Sequence, residues 1–233
     1  MELQKITRPS SAARRRYDDA CGTAHALDLI GERWALLVMR ELMLGPKRFS
    51  DIRADLPGIS ANVLTQRLES LEASSLLVRR KLPPPASLQV YELTPWGYEA
   101  EPIVQSLGKW AARSPAHDPT LPISATSIML SFRTMFSAER AKGFSACIAF
   151  RLGADRFVGS IAKGRLDIVR GEGEGADVTF TGNATALAAA VYGGQPLDAL
   201  AAAGALVTEG DRAAAERFLT LFPLPPKVEA GPA

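Results

Sequence analysis

"FSDIRADLPGISANVLTQRLESLE" occupies Phe49–Glu72. Phe49, Ile52 and Leu56 recur at helical spacing, with Ser50 as the expected N-cap and Pro57-Gly58 as a stop, so the stretch predicts a short helix. A second helix follows after a very short turn. Ser60 is its expected N-cap, and Val63, Leu64, Leu68 and Leu71 form its apolar side. Two short helices joined by a tight glycine-containing turn make a helix-turn-helix, whose second helix lies in the DNA major groove with its N-terminal residues at base edges. The polar side here offers Ser60, Ala61, Asn62, Thr65, Gln66 and Arg67. Asn and Gln pair bidentately with adenine and Arg with guanine, and Ser or Thr serves phosphate or base. A competing reading stays open: this is the wet side of an ordinary helix pair.

Upstream, "LIGERWALLVMRELMLGP" carries Trp34, Leu37, Val38, Glu41 and Leu42 in a three-and-four pattern and predicts one buried amphipathic helix stopped by Gly45-Pro46. Downstream, Leu77 to Leu82 and Leu88 to Leu93 are extended stretches around Pro83-Pro84-Pro85, a β-hairpin with a rigid tip. A hairpin after a helix-turn-helix is a wing. Arg79, Arg80 and Lys81 on its first strand, with Lys47 before the first helix, are placed to meet phosphates, which give affinity and salt dependence but little sequence information. Thr94 then caps a long helix from Pro95 to about Arg113, with Pro102 imposing a kink or break near Glu101. Its apolar positions Trp96, Ile103, Val104, Leu107 and Trp110 exceed what a small domain covers alone. They are read as a dimer interface, with packing inside one chain as the competing reading.

Residues 21 to about 113 resemble the HxlR family of bacterial winged-helix transcription factors. "CGTAHALDLIGERWALLVMREL", with Cys21 ahead of Gly-Glu-Arg-Trp, then the Phe49–Leu77 stretch, then "YELTPWG", carry the resemblance in order. It implies a homodimer on an inverted-repeat operator in double-stranded DNA, joined through helices at both ends of the domain. In that family a cysteine at the Cys21 position senses oxidants or electrophiles. Thiolate character needs neighbouring cations or a helix N-terminus. Asp18 and Asp19 oppose it, which favours a small buried residue at the dimer interface over a redox sensor.

The 233 residues suffice for two ordinary domains. At 47% hydrophobic and 22% charged, the composition is that of a folded protein. No apolar run approaches the roughly 20 residues of a membrane span. The N-terminus ends in Arg14-Arg15-Arg16 without an apolar stretch, so no secretion signal is read and a cytoplasmic location is expected. Two cysteines and two isolated histidines, His25 and His117, give neither a disulfide scaffold nor metal-ligand spacing, so no metal and no cofactor are expected. Net charge is only +2, so the case for nucleic acid rests on local clusters: Arg14–Arg16, Lys47-Arg48 and Arg79–Lys81.

"RSPAHDPTLPIS" (113–124) holds three prolines and reads as a linker. This gives a winged helix-turn-helix DNA-binding and dimerisation domain at 1–114, a linker at 115–123 and a second domain at 124–228. "SATSIMLSFRTMF" predicts a helix. "GFSACIAFRLG", "DRFVGSIAKG", "GRLDIVRGEG" and "ADVTFTG" predict strands. "NATALAAAVYGG" and "PLDALAAAG" predict helices, "ALVTEGD" a strand, and "DRAAAERFLTLFPLP" a last helix capped by Asp211. "RGEGEG" fits a hairpin turn, because Glu172 and Glu174 would repel a phosphate. No nucleophile–base–acid set emerges, so no catalytic residue is named and no enzyme is expected.

Residues 124 to 228 resemble the sterol carrier protein type-2-like fold through "ADVTFTGNATALAAAVYGG", "PLDALAAAGALVTEGD" and "AAERFLTLFPLP". The resemblance implies a small α/β domain with an apolar tunnel between sheet and helices. The small residues Ala186, Ala188 to Ala190, Ala199 and Ala201 to Ala203 leave such a space or allow close packing. The fold class expected is α+β: a winged helix-turn-helix followed by a sterol-carrier-like domain. The function expected is a dimeric DNA-binding regulator with a hydrophobic small-molecule effector and no membrane partner. A thiol sensor through Cys21, and a lipid carrier or enzyme, are the alternatives.

Overall fold

A computed structural model describes residues 17–81 and 88–229. The Arg14–Arg16 cluster and the Pro83–Pro85 tip lie outside them. The fold is α+β. In chain order the elements are α1 (Gly22–Ile30), α2 (Ala35–Leu42), α3 (Phe49–Asp55), α4 (Ala61–Ala73), β1 (Leu77–Lys81), β2 (Gln89–Leu93), α5 (Pro95–Tyr98) and α6 (Glu101–Ala111). Then follow α7 (Ala125–Met135), β3 (Ala146–Leu152), β4 (Asp155–Ala162), β5 (Arg165–Arg170), β6 (Val178–Gly182), α8 (Ala184–Gly193), α9 (Leu197–Ala202), β7 (Leu206–Gly210) and α10 (Arg212–Leu219).

Local chemistry starts many of these elements where polar side chains can accept an orphan backbone N–H. Ser60 Oγ accepts from Val63 N at 3.2 Å, Thr94 Oγ1 from Gly97 N at 3.0 Å, Ser124 Oγ from Ser127 N at 3.0 Å and Asp211 Oδ1 from Ala214 N at 3.0 Å. Ser50 does not cap. It lies inside α3, whose N-cap is Arg48 without a side-chain capping bond. Pro102 acts as expected: α5 and α6 are separated at Glu99-Ala100. The single helix expected across Leu29–Leu44 is instead two. Gly31 closes α1, and Trp34 takes a left-handed φ of 77° before α2 begins. A side chain at Gly31 would stand 2.4 Å from the Leu27 carbonyl oxygen, so only glycine fits.

β1 and β2 pair antiparallel, Leu77 opposite Leu93. The second sheet runs β5-β4-β3-β6-β7, with β3 and β6 parallel and the other pairs antiparallel. Its burial alternates: Ile148, Phe150, Phe157, Ile161, Val178 and Phe180 face the helices, while Arg151, Ser160 and Thr181 face solvent. "RGEGEG" is therefore not a hairpin turn. It carries the chain from β5 past β4 and β3 to β6. Gly173, at φ +70°, crosses so close that a Cβ there would stand 2.6 Å from Ala149 Cβ.

Between sheet and helices the space is filled with aromatic rings. Phe132 stacks on Phe222 with centroids 4.4 Å apart and meets Phe218 edge-on at 5.4 Å, and Phe150 and Phe180 stack at 6.0 Å. The expected tunnel position is occupied by this packing.

Polar contacts sew the two halves together. Glu41 of α2 is fully buried. It accepts from Arg40 Nη2 (2.7 Å), Lys47 Nζ (3.1 Å) and Ser124 Oγ (2.8 Å), the last from the C-terminal half. Arg133 of α7 donates to Glu101 of α6 at 2.7 Å and to the Ile168 carbonyl of β5. Among the described residues no helix is long and apolar enough to cross a membrane.

Candidate nucleic-acid interface

α4 divides by burial as its sequence pattern predicts. Leu64, Leu68 and Leu71 are buried, and Asn62, Thr65, Gln66 and Glu69 are exposed along one stripe. Ala61 sits half-buried in the first turn and Ser60 is exposed at the cap. Thr65 donates its hydroxyl to the Ala61 carbonyl at 2.9 Å, leaving its oxygen free only as an acceptor. The amides of Asn62 and Gln66 thus stand side by side on the N-terminal half of the helix, where a groove-inserted helix reads bases.

The cations distribute unevenly. Lys47 is not an exposed phosphate contact: its side chain is 4% exposed and donates to Glu41 and, at 2.6 Å, to Asp55. It belongs to the buried seam, because two carboxylates in a low-dielectric site demand a partner. Burial, opposed by the Lys47 hydrogen bond, pushes the Asp55 carboxyl above its ordinary range. Arg67 is half-buried and pairs with Glu32 at 3.1 Å, so it leans back toward the segment after α1 rather than along the exposed stripe. Arg79 pairs with Glu72 at 2.8 Å and lies over the Tyr91 ring, and Arg80 pairs with Glu92 at 2.8 Å. Both keep exposed guanidinium groups, and such surface pairs are weak enough to exchange for phosphate. Lys81, the last residue described in β1, is exposed.

Two features escaped sequence reasoning. Glu69, three residues after Gln66, adds an acid to the exposed stripe. Helical spacing alone could have placed it, and its chemistry suits a cytosine amino group. The second is the brace made by Gly31–Trp34. A side chain at Gly58 would come 3.9 Å from the Trp34 indole, and Glu32 holds Arg67. The segment after α1 therefore lies close to the turn between α3 and α4, a proximity no local pattern announces.

Most apolar positions on α5 and α6 face outward, while Val104 is half-buried and packs against the core. Trp96, Ile103, Leu107 and Trp110 are all exposed, Trp110 at 71%, and α1 contains no buried residue. Cys21 is exposed rather than buried. It occupies the N-cap of α1, where the Ala24 N–H, then the Thr23 N–H and hydroxyl, hold its thiol below the ordinary thiol range. Asp19, an acid expected to oppose this, lies beside Cys21. Its carboxylate accepts the Cys21 backbone N–H at 2.9 Å. Among the described residues no group of three or more His, Cys, Asp or Glu could hold a metal.

Comparison with known proteins finds two family matches along the chain. The model of the HxlR-like helix-turn-helix matches residues 29–118, and that of the SCP-2 sterol transfer family matches 132–223. YvaP of Bacillus subtilis (strain 168), an uncharacterized HTH-type transcriptional regulator, is 37% identical over 86 residues, which are 37% of this chain and 80% of that protein. The HTH-type transcriptional regulator YodB of the same organism is 37% identical over 86 residues, 37% of this chain and 77% of that protein. The solved reduced form of YodB aligns with 42% of this chain and 98% of its own at 34% identity and a TM-score of 0.38.

Proposed function

The chain belongs to the HxlR-like helix-turn-helix family, and from that membership we propose that it is a dimeric, sequence-specific DNA-binding transcriptional regulator, without enzymatic activity, acting in the cytoplasm. One observation carries this reading: the exposed stripe of α4 presents Asn62, Thr65 and Gln66 while Leu64, Leu68 and Leu71 lock the helix to the core. Asn62 and Gln66 read base edges in the major groove. Ser60, Ala61 and Thr65 approach the backbone at the helix start. Arg79, Arg80 and Lys81 hold phosphates beside the groove. Arg67 joins only by leaving Glu32. Residues 1–114 form the DNA-binding and dimerising unit and 115–123 the connection. Residues 124–228 form a unit that responds to a hydrophobic small molecule. Two copies joined through Trp96, Ile103, Leu107 and Trp110 match an inverted-repeat operator.

Fluorescence anisotropy on duplex DNA from the protein's own upstream region tests this, with scrambled duplex as competitor and salt varied. The expected result is specific binding that weakens steeply with salt. Gln66→Ala should cost about 1–3 kcal/mol of discrimination. No binding at low salt, or equal binding to scrambled duplex, overturns the reading.

A second reading keeps DNA binding and makes Cys21 the sensor. Its exposed position on the α1 N-terminus favours it. Thiol-specific modification should then change operator affinity, and Cys21→Ser should abolish the response.

A further inference from the structure

A cavity of about 540 Å³ lies where the two halves meet, a size typical of small-molecule sites. It is not beneath the sheet, where the phenylalanine rings pack. Its walls are α6, the segment 116–123, α7, Tyr192 of α8 and the returning tail at Leu224. That tail is fixed to the end of α6, since Val228 N donates to the Arg113 carbonyl at 2.9 Å and Lys227 Nζ to the Ser114 carbonyl at 3.0 Å.

This mostly apolar space is also bordered by polar side chains, of which Asp118 and His117 sit on the exposed 116–118 stretch and Ser127, Ser131 and Tyr192 on α7 and α8. Ser127 borders it at 8% exposure, and its hydroxyl has no hydrogen-bond partner among the described residues. Such a group is costly to leave alone and marks a place where something else bonds. Beside it the Ser131 and Tyr192 hydroxyls share a 2.6 Å hydrogen bond. Burial pushes the Tyr192 phenol up to about 12, so it stays neutral. The guanidinium of Arg40, which also borders the space, is engaged by Glu41 through Nε and Nη2. The other charged group on the lining, the exposed Asp118 carboxylate, accepts from Thr120 N at 2.8 Å and Thr120 Oγ1 at 2.6 Å, so the groups that α7 and α8 offer are uncharged hydroxyls.

α6 presents two neighbouring stripes. Val104, Gly108 and Ala112 face the cavity, while Ile103, Leu107 and Trp110 face outward. A molecule pressed on the first stripe bears on the helix that carries the second.

We propose that this junction cavity is the effector site. It takes an uncharged, largely apolar small molecule with one hydrogen-bonding group, satisfied by Ser127, and α6 transmits its presence to the dimer-forming face. The assignment deepens the regulator reading and rests on it. Regulation requires that the molecule favour one dimer geometry over another, not merely that it bind.

N-phenylnaphthylamine, uncharged, apolar and carrying one N–H, is the probe. Titrated into the full chain, it should show a saturable fluorescence gain at one site per chain. Gly108→Leu should weaken it at least tenfold. The new side chain starts in open space, because a Cβ at Gly108 meets nothing within 4 Å. It also replaces glycine inside a helix, so the melting temperature should not fall. Ser127→Ala should weaken the probe several-fold. No saturable gain, or a Gly108→Leu variant that binds like the parent, overturns the site. Saturation that leaves duplex affinity unchanged overturns the coupling through α6. Failure of probe-free protein to bind any duplex overturns the regulator reading itself, which the probe titration alone would not touch.

Discussion

Phe132, Phe150, Phe157, Phe180 and Phe218 of the C-terminal half are each at most 1% exposed, whereas Trp96, Ile103, Leu107 and Trp110 of the N-terminal half stand in solvent at 47 to 71%. Both halves bury large apolar side chains, Met39, Leu42, Ile52 and Leu64 among them in the N-terminal half, but α5 and α6 also leave the four exposed ones uncovered within the chain. A helix-rich unit of about 90 residues has one short hairpin to cover it, and its last helix has more apolar surface than neighbours. A five-stranded sheet flanked by α7, α8 and α10 closes over its own rings. The rings of the C-terminal half are covered within the chain, whereas the outward face of α5 and α6 is not. Large exposed apolar patches mark interaction sites.

The largest effect should come from the closed core. Phe132 meets Phe150, Phe218, Phe222 and Tyr192. Phe132→Ala should cost about 3–5 kcal/mol in denaturant unfolding, by the same amount at every protein concentration. A cost that varies with concentration would mean that a partner completes this core, and the contrast between the halves would fail.

The seam comes next. Lys47→Ala removes the cation between Glu41 and Asp55, and stranding buried carboxylates should cost roughly 3–5 kcal/mol. Lys81→Ala, on the exposed edge of the wing, should stay within about 0.5 kcal/mol in stability and flatten the salt dependence of duplex binding by about one phosphate contact. If Lys47→Ala instead left stability intact and flattened the salt dependence, Lys47 would belong to the DNA surface after all.

The open face should lose association rather than fold. Leu107→Glu with Trp110→Glu places charge where two copies would meet. Dimerisation should weaken by about 2 kcal/mol or more, read by sedimentation, with each change costing the monomer within about 0.5 kcal/mol. A variant that remains dimeric would move the interface elsewhere.

Much of this contrast was legible before any coordinates, because period and punctuation are local. Each strand and helix after Ser124 starts near a glycine, proline, Asn or Asp that the chain displays, and Leu64, Leu68 and Leu71 name their own side of α4. What escaped was decided by contacts distant in sequence. Trp34 turns left-handed between α1 and α2, within a run that reads as unbroken helix. Lys47 looks like a surface cation until Asp55 and Glu41 close around it. "RGEGEG" looks like a hairpin because its strands are adjacent in sequence, though two other strands separate them in the sheet. The junction cavity needs α6, the 116–123 segment and Tyr192 together, and no window of sequence holds all three.

The smallest effect concerns Cys21, which sits on the open half. Its thiol, held below the ordinary range by the Ala24 and Thr23 groups at the start of α1, keeps more thiolate near neutral pH than a free cysteine does. Thiolate is the reacting species, so alkylation by iodoacetamide should be several-fold faster there than at the half-buried Cys147. The sign follows from the depressed value. The rate falls as pH drops through it, and the fall begins at lower pH than for a free thiol. Residue-resolved mass spectrometry separates the two cysteines in one sample. The comparison of halves adds a condition. If α1 and α6 face a second copy, the Cys21 rate should slow as protein concentration rises into the dimer range. It should stay fast at every concentration in the Leu107→Glu, Trp110→Glu variant, while Cys147 in the closed half should not respond. A Cys21 rate that ignores concentration, in a protein shown to be dimeric, would remove α1 from the interface and leave α6 to form it alone.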